Sequence, residues 1–341
     1  MEVTILDNSF QPIKVIDTFR SLIWTKRYYT CGDFELYIPA DKSLLQYLRT
    51  DPTTDIFVTR ADDDSAMIVE SVEIETDAEN GDFFVVKGRS LESILERHIL
   101  LEPETIHESD VIQAIKGVVS WYTKSIPNFS IDDSLTYPYD FSAQFSYNTL
   151  LDFVSTICKR FGIGFKIKLT GANMILSFYL GSEVNVTFSP EFDNLVNSKY
   201  VYDRSNFANA MHVRGEGEGT ARIGLSFYMD PLATGLALRM IYVDARDISS
   251  NNGEIIGNDY YLLLRERGME KLAEHEVTET FEAEINPERP FAYKRDWNLG
   301  DIVSVTNEYG ITAKPRIVEI IECWDENGYT AIPKFDALEV Q

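Results

Sequence analysis

The nearest approach to a catalytic pattern in this sequence is the segment 275–279 (HEVTE). A zinc protease of the His-Glu-x-x-His type holds its metal with two histidines one helical turn apart, and Glu279 replaces the second histidine in this chain. The β-branched residues that follow Glu276 favour a strand, which would put positions 275 and 279 out of register for one metal ion. We therefore predict that this segment binds no zinc.

The remaining histidines and the cysteines also lack the spacing of a metal site. No ligand spacing relates the other three histidines, which are His98, His107 and His212. The cysteines form no Cys-x-x-Cys pair, so neither a disulfide framework nor a thiolate zinc site is predicted for Cys31, Cys158 and Cys323. Cys158 lies on the apolar stripe of a predicted helix and is expected in the core.

The glycine-rich segment 214–220 (RGEGEGT) could expose backbone N–H groups to a phosphate. Glu216 and Glu218 would repel that anion, and no lysine follows. Both flanks have strand patterns, whereas a phosphate-binding loop lies between a strand and a helix. Since glycines between strands are typical of bulges and tight bends, we expect a hairpin at this point.

The acidic segment 62–65 (DDDS) could supply oxygen ligands to calcium, but it lacks the glycine and the distal glutamate of an EF-hand loop. We expect it to be the solvated tip of a hairpin. A glycosidase-like pair of carboxylates is no specific signal in a chain with 55 acidic residues. The sequence thus predicts no catalytic residue, no cofactor-binding residue and no metal ligand.

The net charge restricts the partners of this protein. Its 341 residues include 31 Lys and Arg against 55 Asp and Glu, a formal charge of −24 at pH 7. Such acidity opposes binding to nucleic-acid phosphates and to anionic membranes. The N-terminus has no apolar signal-peptide core, and no apolar run approaches the roughly 20 residues of a membrane helix. We expect a protein that is made in the cytoplasm.

Strand patterns dominate the chain. Near the N-terminus apolar and polar residues alternate, which predicts half-buried antiparallel strands with inward Val3, Ile5, Ile13, Val15, Leu22, Trp24, Phe34, Leu36 and Ile38. Asn-Gly pairs at 80–81 and 327–328 predict two tight hairpins. A tight turn at 300–301 is expected to precede a strand at 302–305.

Three segments have helical patterns. They are 109–122 with Ser109 as N-cap, 148–161 ended by a left-handed Gly162, and 259–274. Gly268 is expected to interrupt the last one. Strands at 165–169 and 174–180, joined by a hairpin loop at 170–173, follow the second helix and indicate an α+β unit in the middle of the chain.

Four segments, spread over almost the whole chain, carry a resemblance to a known family. They are 5–41, 68–100, 186–219 (which ends in NAMHVRGEGEG) and 297–335 (which begins with WNLGDIV). With these segments the sequence resembles the tail-hub family of long-tailed bacteriophages and prophages, often called tail-associated lysins. The members of that family lie at the tip of the tail tube.

The resemblance implies an α+β, mainly β fold with two small antiparallel β-barrel domains and inserted α/β material. We expect the first barrel at 1–100 and a middle α+β domain at 101–195. The second barrel would combine 196–245 with 285–341, around a helical excursion at 246–284. Arg316 resembles the basic residue that begins a barrel strand in the family, where a carboxylate partner is expected.

The resemblance further implies a non-enzymatic, structural protein of the virion tail tip. It would cap the tail tube as a ring-shaped homotrimer and contact the distal tail and tube proteins, and DNA would pass through without stable binding. We expect no lytic or receptor-binding extension after the last barrel strand. Two alternatives remain: a tail-associated peptidoglycan hydrolase (a cell-wall endopeptidase) and a carbohydrate-binding adhesion module.

Overall fold

Antiparallel strands with alternating apolar residues form most of this fold. A computed structural model describes residues 1–49, 51–77, 81–101, 104–145, 148–250, 255, 257–285 and 291–336. The fold is α+β and mainly β, as the sequence predicts.

The described residues form twenty-two strands and four α-helices. The strands are β1 (Val3–Leu6), β2 (Pro12–Ile16), β3 (Ser21–Arg27), β4 (Asp33–Pro39), β5 (Phe57–Arg60), β6 (Ala66–Asp77), β7 (Gly81–Ser90), β8 (Glu104–Asp110), β9 (Phe129–Ile131), β10 (Pro138–Phe145), β11 (Gly164–Thr170), β12 (Asn173–Tyr179), β13 (Glu183–Phe188), β14 (Leu195–Asp203), β15 (Ala210–Arg214), β16 (Gly224–Tyr228), β17 (Met240–Asp244), β18 (Thr278–Ile285), β19 (Ile302–Thr306), β20 (Thr312–Ala313), β21 (Ile317–Asp325) and β22 (Gly328–Phe335). Among the described residues the α-helices are α1 (Lys42–Leu48), α2 (Val111–Thr123), α3 (Leu150–Phe161) and α4 (Asn258–Ala273), and short 3₁₀ helices lie at Leu91–Arg97, Pro190–Phe192, Gly219–Ala221 and Gly235–Ala237.

One sheet of eleven strands joins the two ends of the chain. Its order is β14-β18-β22-β21-β3-β4-β7-β6-β5-β1-β2, so the C-terminal β21 pairs with the N-terminal β3. The predicted inward residues of β3 and β4 are buried, which confirms their alternation: Leu22, Trp24, Phe34, Leu36 and Ile38. In β2 the half-buried Ile13 packs against the core as predicted, but the prediction for Val15 is wrong, because pairing with β1 puts Ile16 opposite the buried Val3 and leaves Val15 53% exposed.

Both predicted Asn-Gly hairpins join antiparallel strands. Asp325 of β21 lies opposite Gly328 of β22, which leaves a two-residue turn, and the φ of 114° at Gly328 favours glycine. β6 and β7 pair as far as Asp77 opposite Gly81. Residues 78–80 of that first turn lie outside the described residues.

The middle of the chain contains α2, α3 and the hairpin of β11 and β12. α3 begins after Thr149, whose hydroxyl accepts from the Asp152 N–H, and ends at a left-handed Gly162, as predicted. The N-cap of α2 is Asp110, not Ser109, because the Asp110 carboxylate accepts from two N–H groups of the first helical turn. Cys158 is fully buried, which confirms its place in the core.

α4 is continuous through Gly268, contrary to the predicted interruption. The helix packs on the sheet β16-β15-β17, and a Cβ at position 268 would overlap the side chains of Met211 and Val213. Gly268 is therefore a point of close approach between helix and sheet. Residues 196–245 are thus divided between two sheets, since β14 lies in the large sheet and β15–β17 form this smaller one.

Candidate functional site

The zinc-like segment 275–279 lies partly in the connection after α4 (275–277) and partly in the start of β18 (278–279), so it is not helical, as the β-branched residues predict. Nδ1 of His275 lies 2.9 Å from the backbone oxygen of Asn206. Glu279 is buried and accepts a hydrogen bond from the Tyr200 hydroxyl, which raises the pKa of Tyr200 to about 12. In the part of the chain that the structure describes, no group of three His, Cys, Asp or Glu side chains could hold a metal ion.

The other histidines make ordinary polar contacts. Nδ1 of His107 lies 2.8 Å from the Ser142 hydroxyl, and Nδ1 of His212 lies 2.8 Å from the Ser226 hydroxyl. Burial, together with the nearby charge of Arg97, lowers the pKa of His98. Nδ1 of His107 and of His212 thus lies beside a serine hydroxyl, but no carboxylate among the described residues is hydrogen-bonded to either ring, so neither pair forms a Ser-His-Asp arrangement.

The glycine-rich segment 214–220 is a hairpin loop between β15 and β16, as predicted. Two of its N–H groups are used within the fold: Gly215 donates to the Ile223 carbonyl (2.8 Å) and Glu216 donates to the Tyr260 hydroxyl (3.0 Å). The Glu216 carboxylate accepts from the Ser250 N–H (3.1 Å). This arrangement fixes the loop against α4.

The acidic segment 62–65 joins β5 to β6 in an antiparallel hairpin, as predicted, but this tip is only partly solvated. Asp63 is buried in a group of six charged side chains that we call the Arg60 cluster, which consists of Lys26, Arg60, Asp62, Asp63, Lys294 and Glu322. Burial by itself would raise the pKa of Asp63. The charges of Lys26 and Arg60 and hydrogen bonds from Lys26 and Ser65 outweigh it, and hold that pKa well below its usual range.

Arg60 is the centre of this cluster. Its side chain has no exposed surface and donates to both carboxylate oxygens of Glu322, at 3.2 and 3.3 Å. The rings of Trp24 and Trp324 lie 5.0 and 4.3 Å from its guanidinium carbon. Because Arg60 is in β5 and Glu322 is in β21, the cluster connects the two ends of the chain.

Tyr28 forms a second connection, between three parts of the chain. Its hydroxyl accepts from the Gly181 N–H (3.0 Å) and lies 3.1 Å from the carbonyl oxygen of Gly162. Arg316 lies over the Tyr28 ring and donates to the carbonyl of Gly300 (2.6 Å). Residue 316 therefore packs at a junction, as expected, and its carboxylate partner stays a prediction.

A cleft of about 620 Å³ opens between the first loop of the chain and the loop that precedes β9. Its apolar side chains are Phe10, Phe57, Ile94, Ile126, Pro127 and Met174, and its neutral polar ones include Asn8, Ser9, Ser125 and Asn128. Arg97 and Asp55 form a two-bond ion pair at its edge, at 2.6 and 3.0 Å. Phe10 and Asn128 have positive φ angles of 59° and 57°, which are uncommon for residues other than glycine.

Comparison with protein families gives one match over nearly the whole chain. The model of the siphovirus ReqiPepy6 Gp37-like proteins matches residues 2–335. The chain belongs to this siphovirus tail-protein family. The predicted resemblance to phage tail proteins is thereby confirmed. No curated protein matches the sequence.

Solved structures that share the fold of this chain include tail proteins of prophages and bacteria. The 43 kDa tail protein of prophage MuSo2 from Shewanella oneidensis has a TM-score of 0.62 at 11% identity, with 99% of this chain and 98% of that chain covered. A tail protein from Neisseria meningitidis MC58 has a TM-score of 0.61 at 14% identity, with 98% and 96% covered. Prophage tail protein gp18 from Listeria monocytogenes EGD-e has a TM-score of 0.58 at 11% identity, with 98% and 94% covered. At these identities the likeness establishes the shared fold.

Sequence reasoning missed the Arg60 cluster of this Gp37-like protein. Arg60 and Glu322 both occupy inward positions of strands whose other inward residues, such as Val58 and Ile320, are apolar. The sequence signal for such a cluster is a charged residue at a strand position whose neighbours on the same face are buried and apolar. The pairing itself could not be read from the sequence, because the two residues are 262 positions apart.

Proposed function

We propose that this Gp37-like protein is a structural hub of the virion tail tip, which caps the tail tube as a ring-shaped homotrimer and contacts the distal tail and tube proteins. The observation that carries the proposal is the family match over residues 2–335 together with prophage tail proteins that share the fold over 94% or more of their length. No helix among the described residues is long and apolar enough to cross a membrane.

The proposed domain boundaries are those implied by the resemblance: barrels at 1–100 and at 196–245 with 285–341, a middle domain at 101–195, and a helical excursion at 246–284. The pairing of β3 with β21 and the Arg60 cluster support a fixed relation between the two barrels. A rigid relation suits a ring, because three copies with two similar barrels each would present about six equivalent units to a sixfold tube.

The proposed homotrimeric ring can be tested by measuring the mass of the purified protein and by electron microscopy of its particles. We expect a closed ring with the mass of three chains, and a ring of the same size at the distal end of isolated tails. A protein that stays monomeric at every concentration, and that antibodies do not detect on tails, would contradict the proposal.

We propose that the protein is not an enzyme, because the candidate catalytic patterns are occupied by structural contacts. His275 contacts a backbone oxygen and Glu279 is paired with Tyr200. The alternative, a peptidoglycan hydrolase, is tested by a zymogram on bacterial cell walls. We expect no cleared band from the pure protein, and a band that disappears in His275→Ala/Glu279→Ala would overturn this part of the proposal.

The cleft favours a second candidate function, the binding of a neutral saccharide. A lining of mostly apolar side chains with a few polar groups is the usual composition of a small-ligand site, and the charges of Arg97 and Asp55 in this lining compensate each other. We expect binding of uncharged cell-wall oligosaccharides that is lost in Phe10→Ala and kept in Trp121→Ala, a change of an exposed aromatic residue elsewhere. Equal binding by both variants would exclude the cleft.

A further inference from the structure

The three-stranded sheet β16-β15-β17 has one covered face and one uncovered face. Met211, Val213 and Val243 are buried against α4. On the opposite face Tyr228 and Met240 both lie opposite Ala210, and Tyr242 follows on the same side of β17. These three large side chains are 42%, 43% and 59% exposed, and they share the face with the polar His212 and Ser226. The uncovered face is therefore open to water and combines large, mainly apolar side chains with polar ones.

The loop at 229–238 adds two highly exposed leucines to this surface. Leu232 is 87% exposed and Leu236 is 101% exposed. Asn209 fixes both ends of the loop: its carbonyl accepts from the Met229 N–H (2.9 Å), its side-chain amide donates to the Ala237 carbonyl (2.9 Å), and its side-chain oxygen accepts from the Arg239 N–H (2.9 Å). Specific hydrogen bonds thus hold a loop that presents leucines to solvent.

Residues 204–246, which contain this sheet and loop, differ in formal charge from the rest of the chain. Residues 204–246 contain five arginines, no lysine and four carboxylates, a formal charge of +1 in a chain of −24, so the remaining residues carry −25. Arg239 and Arg246 are exposed. Tyrosine, methionine and arginine are enriched in the buried parts of protein interfaces, and lysine and glutamate are depleted there.

We infer that the uncovered sheet face and the 229–238 loop form the contact with a second copy of this chain. The inference rests on the proposed ring, whose neighbours meet through two different surfaces. Two chains of −24 repel each other wherever acidic surfaces face, and the repulsion is weakest where one of them presents the +1 face. Each chain therefore carries both surfaces of the proposed contact: a face with arginines and large apolar side chains, and an acidic surface elsewhere.

The test compares the association of full-length variants by sedimentation over a range of protein concentrations. Leu232→Asp/Leu236→Asp changes only exposed side chains that make no polar contact, so unaltered thermal unfolding of the monomer is expected. Arg239→Glu/Arg246→Glu also removes the surface ion pair of Arg246 with Asp244, so a small fall of the unfolding temperature is expected. Each pair should raise the dissociation constant of self-association by about tenfold or more. Tyr309→Asp is the matched control, since Tyr309 is 88% exposed in the turn between β19 and β20, and it should associate like the wild type.

The outcomes separate this inference from the hub itself. Trimers that persist unchanged in both double variants would overturn the contact and leave the ring standing. If the wild type stays monomeric, or uses this face only to bind a different tail protein, the inference that a second copy of this chain covers the face is wrong. Loss of association in the two double variants alone would support it.

Discussion

At the scale of single residues, the Arg60 cluster is the most constrained part of this protein. Its three cations and three carboxylates are formally neutral together, and Arg60, Asp63 and Glu322 are almost completely removed from water. A buried ion pair adds little stability compared with apolar residues of the same volume, but the loss of one partner leaves an uncompensated buried charge. The cluster therefore specifies how β5 meets β21 more than it adds stability.

The change Arg60→Met tests this view. It leaves Glu322 and Asp63 buried with less compensation, so the free energy of unfolding should fall by about 3–5 kcal/mol in urea titrations. Arg295→Ala removes an exposed ion pair with Asp296 and should change the free energy of unfolding far less, because solvent screens that pair. Equal effects of the two changes would show that the cluster is as hydrated as the surface.

The depressed pKa of Asp63 gives the cluster a defined pH dependence. A carboxyl group whose folded pKa lies below its unfolded value of about 3.9 stabilises the fold above that value, and the contribution is lost as the pH falls toward the folded pKa. The stability difference between wild type and Asp63→Asn should thus be constant near neutral pH and shrink below about pH 4. Paired urea titrations between pH 3 and pH 7 measure it. A constant difference would mean that Asp63 titrates normally.

At the scale of elements, the sequence predicts those helix ends that depend only on contacts between neighbouring residues. Thr149 and Gly162 mark both ends of α3 because capping acts within a turn. The cap of α2 required a distant contact: the Asp110 carboxylate also accepts from the Tyr137 N–H (2.7 Å), which favours Asp110 over the equally suitable Ser109. The continuity of α4 likewise depends on Met211 and Val213, which the sequence does not place near Gly268.

Two glycine substitutions separate helix propensity from packing. Gly117→Ala in α2 meets no atom within 4 Å and should raise the free energy of unfolding by about 0.5–1 kcal/mol, because alanine favours the helix. Gly268→Ala would overlap Met211 and Val213 and should lower it by about 1–3 kcal/mol. Thermal and urea unfolding of both variants provide the comparison. Stabilisation by Gly268→Ala would show that α4 can move off the sheet without loss of stability.

At the scale of the whole molecule, the uneven charge separates two surfaces with different tasks. The +1 region at 204–246 suits burial between copies, where it would meet acidic surface of a neighbouring chain in the proposed ring, and most of the −25 remainder would face solvent or the channel of that ring. Within a ring, covering the arginines would leave the assembly more uniformly acidic than the isolated chain. The charge therefore matters for the DNA that would pass through the proposed ring.

This distribution predicts that the assembled protein does not bind DNA, even at low ionic strength. A channel lined with lysine and arginine would hold DNA through counterion release, whereas an excess of carboxylates repels phosphates. At 0.01 M salt the Debye length is about 30 Å, so any attraction would be most visible there. We expect gel-shift assays at that salt to leave duplex DNA unretained, and carboxylates to outnumber basic groups on the channel surface of the ring.

The variant Arg239→Glu/Arg246→Glu controls for the arginines that free chains expose, since DNA binding that disappears in it would belong to unassembled protein. Retention of DNA by the ring itself, or a neutral or basic channel, would contradict the electrostatic argument and leave the hub assignment unchanged.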